Sequence, residues 1–232
     1  MRNRLLTAGI LLALSAPAFS QDEVVDEESG PFSFNIGAVS DYAFRGVSQT
    51  NEGPALQGGI DYSHDSGFHA GAWASGVDFV DNDGANIELD VYAGWGTDIN
   101  DVLSFDASLI HYFYIDQNAY EYNELLLKMG VTDYVSFLLG YSNDVFGSDE
   151  TGIYYQVAGT YPLPWGELNV NGSLAHYDLD DALGDSYQDV SFGLSKAFGP
   201  MNVAVTYVHV SDDVDWGRNG GARTILSANW VF

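Results

Sequence analysis

Cysteine is absent from all 232 residues, which excludes disulfides and thiolate metal sites. Basic residues are scarce as well: seven Lys and Arg stand against 33 Asp and Glu, for a formal charge of −26. Polyphosphate needs a basic footprint, so nucleic acid is excluded as a partner. Long apolar runs are missing too. After residue 21 the longest uncharged stretch is 151–166, TGIYYQVAGTYPLPWG, and Pro162 and Pro164 interrupt it. No membrane-crossing helix can be built from that segment.

The first twenty residues are separable. Arg2 and Arg4 precede an apolar stretch from Leu5 to Leu14, and Ala18 and Ser20 suit a cut ahead of Gln21. Residues 1–20 are therefore expected to be a secretory signal peptide. Its removal leaves Arg45, Lys128, Lys196, Arg218 and Arg223 against all 33 acids, 5 − 33 = −28. Residues 21–31, QDEVVDEESGP, are acidic and aperiodic and are expected to form a disordered N-terminus.

From Phe32 to Phe232 the hydrophobic period is two, the signature of strands. Phe32, Phe34, Ile36 and Ala38 alternate with Ser33, Asn35 and Gly37; Ile87, Leu89, Val91, Ala93 and Trp95 alternate with Glu88, Asp90, Tyr92 and Gly94. The same rhythm carries Leu103, Phe105, Ala107 and Leu109, then Leu168, Val170 and Leu174, then Val190, Phe192 and Leu194. In GFHAGAWASGVDF, 67–79, the two faces are not distinguishable from composition. Short breaks at 64–67, 97–101, 131–133, 162–166 and 198–201 alternate with longer acidic ones at 46–54, 79–86, 115–119, 143–151, 178–186 and 211–221. That pattern predicts about twelve antiparallel strands, with both chain ends on the short-turn side.

A soluble sandwich or lipocalin-like barrel also alternates. Here, however, the polar parity holds Gly, Ser, Asn, Asp and Glu in mid-strand, groups that a dry core leaves unsatisfied. The apolar parity would make the outside greasy. Tyr42, Tyr62, Trp95, Tyr112, Tyr114, Tyr154, Tyr155, Trp165, Tyr177, Tyr187, Tyr207 and Trp230 gather at strand ends, as interfacial aromatic girdles do. The expected fold is all-β: an up-and-down transmembrane β-barrel over 32–232, in the outer membrane of a Gram-negative bacterium. The final segment TILSANWVF, 224–232, reads as the closing strand, with Trp230 and Phe232 at the lipid interface. It is also the expected contact with the barrel-assembly machinery.

The stretches SDYAFRGVSQT (40–50), PALQGGIDYSHDSGFHAGAWASGVDF (54–79) and IELDVYAGW (87–95) resemble the TorF family of porins. His69 stands where an aromatic such as Tyr is expected. The resemblance covers about the first quarter of the mature chain. It implies an outer-membrane barrel and a porin function, and brings no functional residues with it.

Strand parity places Asp41, Arg45, Asp61, Glu88, Asp90, Asp106, Glu124, Lys128, Asp189 and Arg223 in the lumen as candidate pore-lining residues. The bland alternative is an internal salt-bridge plug, since about twelve strands falls between filled and open barrels. Small lumenal residues (Gly37, Ser104, Ser108, Asn169, Ser173, Ser191 and Gly193) leave room for water. Arg45 and Arg223 are assigned to the first and last strands, which adjoin in a closed barrel. From there they could face Glu88, Asp90 and Glu124 across the bore, or simply pair with Asp41.

The loops carry Asp81, Asp83, Asp144, Asp149, Glu150, Asp178, Asp180, Asp181, Asp185, Asp212, Asp213 and Asp215. DNDG at 81–84 has only part of a calcium-loop spacing. Diffuse divalent-cation bridging to lipopolysaccharide is a simpler reading, and plain solvated loops are simpler still. His111 shares the lipid-facing parity, but no GxSxG-type motif accompanies it, so an outer-membrane lipid hydrolase has little support. The expected function is passive diffusion of small solutes with a cation preference, without enzyme chemistry or cofactor. The alternative is a structural or surface-binding barrel that does not conduct.

Overall fold

A computed structural model describes residues 30–79 and 84–232. The expected signal peptide, most of the acidic 21–31 segment, and Asp81 and Asp83 of the DNDG loop lie outside the described residues.

Twelve long strands close one antiparallel barrel. They are β1 (Phe32–Val39), β4 (Ala55–Ser63), β5 (Phe68–Gly76), β6 (Ile87–Asp98), β7 (Leu103–Tyr114), β8 (Tyr122–Val131), β9 (Val135–Ser142), β10 (Gly152–Pro162), β11 (Leu168–Asp178), β12 (Tyr187–Phe198), β13 (Met201–Val210) and β14 (Ala222–Val231). Two further strands, β2 (Ala43–Phe44) and β3 (Val47–Ser48), pair only with each other. Neighbours in sequence are neighbours in the sheet, and β14 returns to β1 with Ile36 opposite Trp230 and Ala38 opposite Ala228. Closure leaves no unpaired edge, the condition for a sheet to cross lipid. Phe232 completes it: its backbone exchanges hydrogen bonds of 2.8 and 2.9 Å with Phe34, and the two rings stack at 6.3 Å.

Register fixes which parity faces out. Phe34, Ile36, Leu56, Ile60, Val91, Leu109, Leu125, Phe137, Val157, Leu174, Phe192, Val205 and Leu226 are all exposed on the outer surface. An apolar belt this continuous is suited to hydrocarbon and not to water. The ambiguous segment resolves the same way: Ala70, Ala72 and Ala74 pair with the outward Ala93, Val91 and Leu89, so His69, Gly71, Trp73 and Ser75 face inward.

The aromatic girdle needs a correction. Trp95, Tyr155, Trp165, Tyr207 and Trp230 are exposed as expected. Tyr42, Tyr112, Tyr114, Tyr154, Tyr177 and Tyr187 are instead buried inside the barrel. Strand-end position alone does not separate a girdle tyrosine from a lumenal one. Parity does: Tyr112 faces Asp90 and Tyr122 across its two ladders, on the inward side.

Candidate functional site: a polar lumen closed at the long-loop end

The connection from β1 to β4, residues 40–54, folds into the barrel. Its core is the hairpin β2–β3, with Phe44 opposite Val47 and Arg45 and Gly46 as the two turn residues. Both have positive φ, 48° and 85°, as a two-residue type I′ turn requires. Glycine takes this conformation freely, whereas arginine is strained there. A Cβ on Gly46 would run into Val210 and come within 2.9 Å of the Asp189 Cβ, so the tip also abuts the β12–β13 wall. Arg45 therefore stands on the turn of an inserted hairpin and not on the first strand, as alternation suggested. The alternation of YAFRG mimics a strand because the hairpin is itself extended.

Asp41 holds the hairpin's base. Ser48 and Thr50 hydroxyls donate to Asp41 Oδ1 at 2.6 and 3.1 Å, and Arg223 Nη1 donates to Oδ2 at 3.1 Å. Thr50 Oγ1 in turn accepts from the Tyr42 backbone N–H at 3.0 Å. The tip is held by Arg45. Its guanidinium reaches both Glu124 carboxylate oxygens at 2.7 Å, and Tyr112 donates to the same carboxylate at 2.9 Å. The remaining guanidinium surface lies against the rings of Tyr154, Tyr177 and Phe44 at 4.1, 4.5 and 4.7 Å. Both partners of the ion pair have 0% side-chain exposure. Tyr187 donates to the Arg45 carbonyl at 3.0 Å, and Tyr154 to Asp189 at 3.1 Å. On the outer side, Arg218 bonds Glu52 at 2.8 Å, holding this carboxyl below its ordinary range and tying the 40–54 connection to the last loop.

Toward the short-turn end the lumen opens. Lys128 points inward, directly opposite Asp106 in register, yet is exposed. Its side chain therefore borders open space within the barrel. Asp61, Gln156, Ser173 and Ser191 are half-buried on the same inner surface. His69 Nε2 and Ser108 Oγ bond Asp106 at 2.8 and 2.7 Å, and the Tyr92 hydroxyl bonds Asp61. The lumen is thus a polar vestibule beneath an aromatic and ionic stopper.

The ten candidate residues divide between these halves. Asp41, Arg45, Glu88, Asp90, Glu124 and Asp189 are buried around the stopper, with Arg223 half-buried among them. Asp61, Asp106 and Lys128 face the vestibule. The transverse arrangement of two arginines against one acidic wall is not what forms: Arg45 takes Glu124 and Arg223 takes Asp41. The tyrosines that enclose Arg45 were missed as site residues, and inward parity was the available signal. His111 faces outward, bonded to Asn123 at 2.9 Å and packed on Phe113, with no serine in that contact. Among the described residues, three or more His, Cys, Asp and Glu do not gather as a metal cluster.

A closed twelve-stranded barrel, apolar outside and polar inside, is the architecture of porins. The chain belongs to the Gcw_chp family, bacterial proteins of unknown function, whose model matches residues 26–232. Its fold is similar to that of the KdgM porin, with 14% identity and a TM-score of 0.58 over 86% of this chain and 99% of that one. It is also similar to the NanC porin, with 11% identity and a TM-score of 0.55 over 86% and 98%. A KdgM structure in complex with disordered oligogalacturonate gives 13% identity and a TM-score of 0.55 over 87% and 98%. No curated protein matches the chain. The barrel thus resembles bacterial outer-membrane porins, while the TorF name is not among the matches.

Proposed function

We propose that this protein is an outer-membrane channel for passive diffusion of small solutes, with a preference for cations. The observation that carries the reading is the water-accessible vestibule behind an apolar outer belt, with Lys128 exposed on its inner wall. Water inside a lipid-facing barrel is the physical basis of conduction. On the vestibule wall the strands turn Asp61 and Asp106 inward against Lys128, so the wall is acidic on balance. Such a wall concentrates cations and repels anions. For that reason the oligogalacturonate seen with KdgM, a polyanion, is not carried over to this chain. The TorF resemblance belongs to the same reading, as do lipopolysaccharide around the acidic loops and delivery by the assembly machinery through β14.

The inserted hairpin sets the constriction, and its docking supports a second reading, a barrel that does not conduct while the stopper is in place. Single-channel recording of refolded protein in planar bilayers separates the two. Discrete conductance steps are expected for the channel, whereas a silent bilayer would favour the plugged barrel.

A further inference from the structure

Arg45 sits in its pocket as a bound ligand sits in a receptor. Its Nη2 donates to both oxygens of Glu124 at 2.7 Å. Its Cζ lies 4.1 Å from the ring centroid of Tyr154, 4.5 Å from that of Tyr177 and 4.7 Å from that of Phe44. These distances converge on one guanidinium, whose side chain is sealed from water. Phe44 belongs to the hairpin and leaves with it. The other walls stay, because Glu124 stands on β8, Tyr154 on β10 and Tyr177 on β11.

The cage is held in shape by contacts that do not involve Arg45. Tyr112 donates to Glu124 at 2.9 Å and stacks on Tyr122 at 4.5 Å. Tyr154 donates to Asp189 at 3.1 Å, and its ring meets Tyr177 edge-on at 5.4 Å. The hairpin, in contrast, docks with its tip strained, since Arg45 has a φ of 48°. Negative charge is in excess around the stopper: Glu88, Asp90 and Asp189 are buried, and among the described residues none of them makes an ion pair. Withdrawal of the tip therefore leaves a preformed aromatic pocket with a carboxylate and no cation.

We propose that this cage of Glu124, Tyr154 and Tyr177 is a recognition site for guanidinium-bearing solutes, which displace Arg45 and so release the stopper. The hairpin tip is then an internal stand-in for the solute. A guanidinium is planar, stacks on aromatic faces and is weakly hydrated, whereas an ammonium is compact and strongly hydrated. Entry into a dry aromatic cage therefore favours guanidinium. Arg45 competes as a tethered group, at an effective concentration of about millimolar, so displacement needs solute in that range or above. The transport consequence rests on the channel reading, while binding at the cage is measured without conductance.

The test uses the refolded full chain in detergent, with methylguanidinium as the probe and methylammonium at equal ionic strength as the control. On the wild type, methylguanidinium should raise proteinase cleavage within 40–54 several-fold, and methylammonium should leave it unchanged. NMR saturation transfer to the methyl protons of the probe measures binding. Because the cage is vacant only in the released fraction, Arg45→Ala should bind methylguanidinium at least about tenfold more tightly than the wild type. Adding Glu124→Gln to Arg45→Ala should abolish that binding, and adding Tyr154→Leu should weaken it several-fold. The proposal is overturned if methylguanidinium leaves wild-type cleavage unchanged, or if methylammonium raises it equally. It is also overturned if Arg45→Ala binds no methylguanidinium, or binds it as well without the Glu124 carboxylate. Conductance steps without these effects would leave a channel with no guanidinium site. These effects with a silent bilayer would keep the site and remove the channel.

Discussion

Replacing Arg45 by alanine tests whether the hairpin is held by its tip. The substitution removes the cation paired with Glu124 and its contacts with the three rings that enclose the guanidinium. Breaking one side of a buried ion pair costs about 3–5 kcal/mol, because the other charge is left uncompensated. That cost falls on the docked state. Once the hairpin leaves, water enters and solvates Glu124, so the released state is not penalised. At about 1.4 kcal/mol per decade, the docked-to-released ratio should fall by roughly a hundred- to a few thousandfold. Two assays read the change: proteinase cleavage within 40–54 on folded barrels, and single-channel conductance. Both should rise, while the barrel stays resistant to unfolding in cold detergent. Arg45→Met with Glu124→Leu should largely restore docking, because replacing both partners by apolar groups is close to neutral. If Arg45→Ala left both cleavage and conductance at wild-type levels, the tip would not be what holds the stopper.

Gly46→Ala should release the same hairpin by a different route, since its Cβ would meet Val210 and Asp189 at a positive φ; cleavage within 40–54 reports it. On β6, Val91→Lys should cost roughly 2–4 kcal/mol near the bilayer midplane, whereas the inward Glu88→Gln should fold normally. Folded yield in vesicles compares them, and equal defects would invalidate the facing of this strand. Deleting Phe232 removes its backbone bonds to Phe34 and the stacked ring, so the level of heat-modifiable barrel in the outer membrane should drop. A normal level would remove the role given to this residue.

The barrel was legible because parity is a local property and lipid enforces it on every strand. Leu109, Val91 and Phe192 alternate with Ser108, Asp90 and Ser191 regardless of what lies across the lumen. Connection lengths gave the strand order for the same reason. The stopper was not legible, because it depends on where a loop goes. YAFRG alternates like any strand segment, and only the adjacent positive φ at Arg45 and Gly46 turns it back. Once it enters the lumen, Arg45 meets Glu124, 79 positions away in sequence, and tyrosines from β7, β8, β10, β11 and β12 close over it. Strand-end tyrosines looked like girdle residues because interface and lumen both favour a ring with a polar tip. The inward parity of Glu88, Asp90, Asp106 and Glu124, in contrast, could be read residue by residue.

Reversal potentials across a salt gradient test most directly whether this acidic lumen is a conduit. The predicted result is cation preference at low salt, weakening as the screening length falls from about 10 Å at 0.1 M to about 3 Å at 1 M. Asp61→Lys with Asp106→Lys, both on the vestibule wall, should move the potential toward anions. The measurement belongs on the wild type and on Arg45→Ala, so that a docked stopper is not mistaken for a sealed barrel. Anion selectivity in either protein, or no conductance in both, would contradict the account.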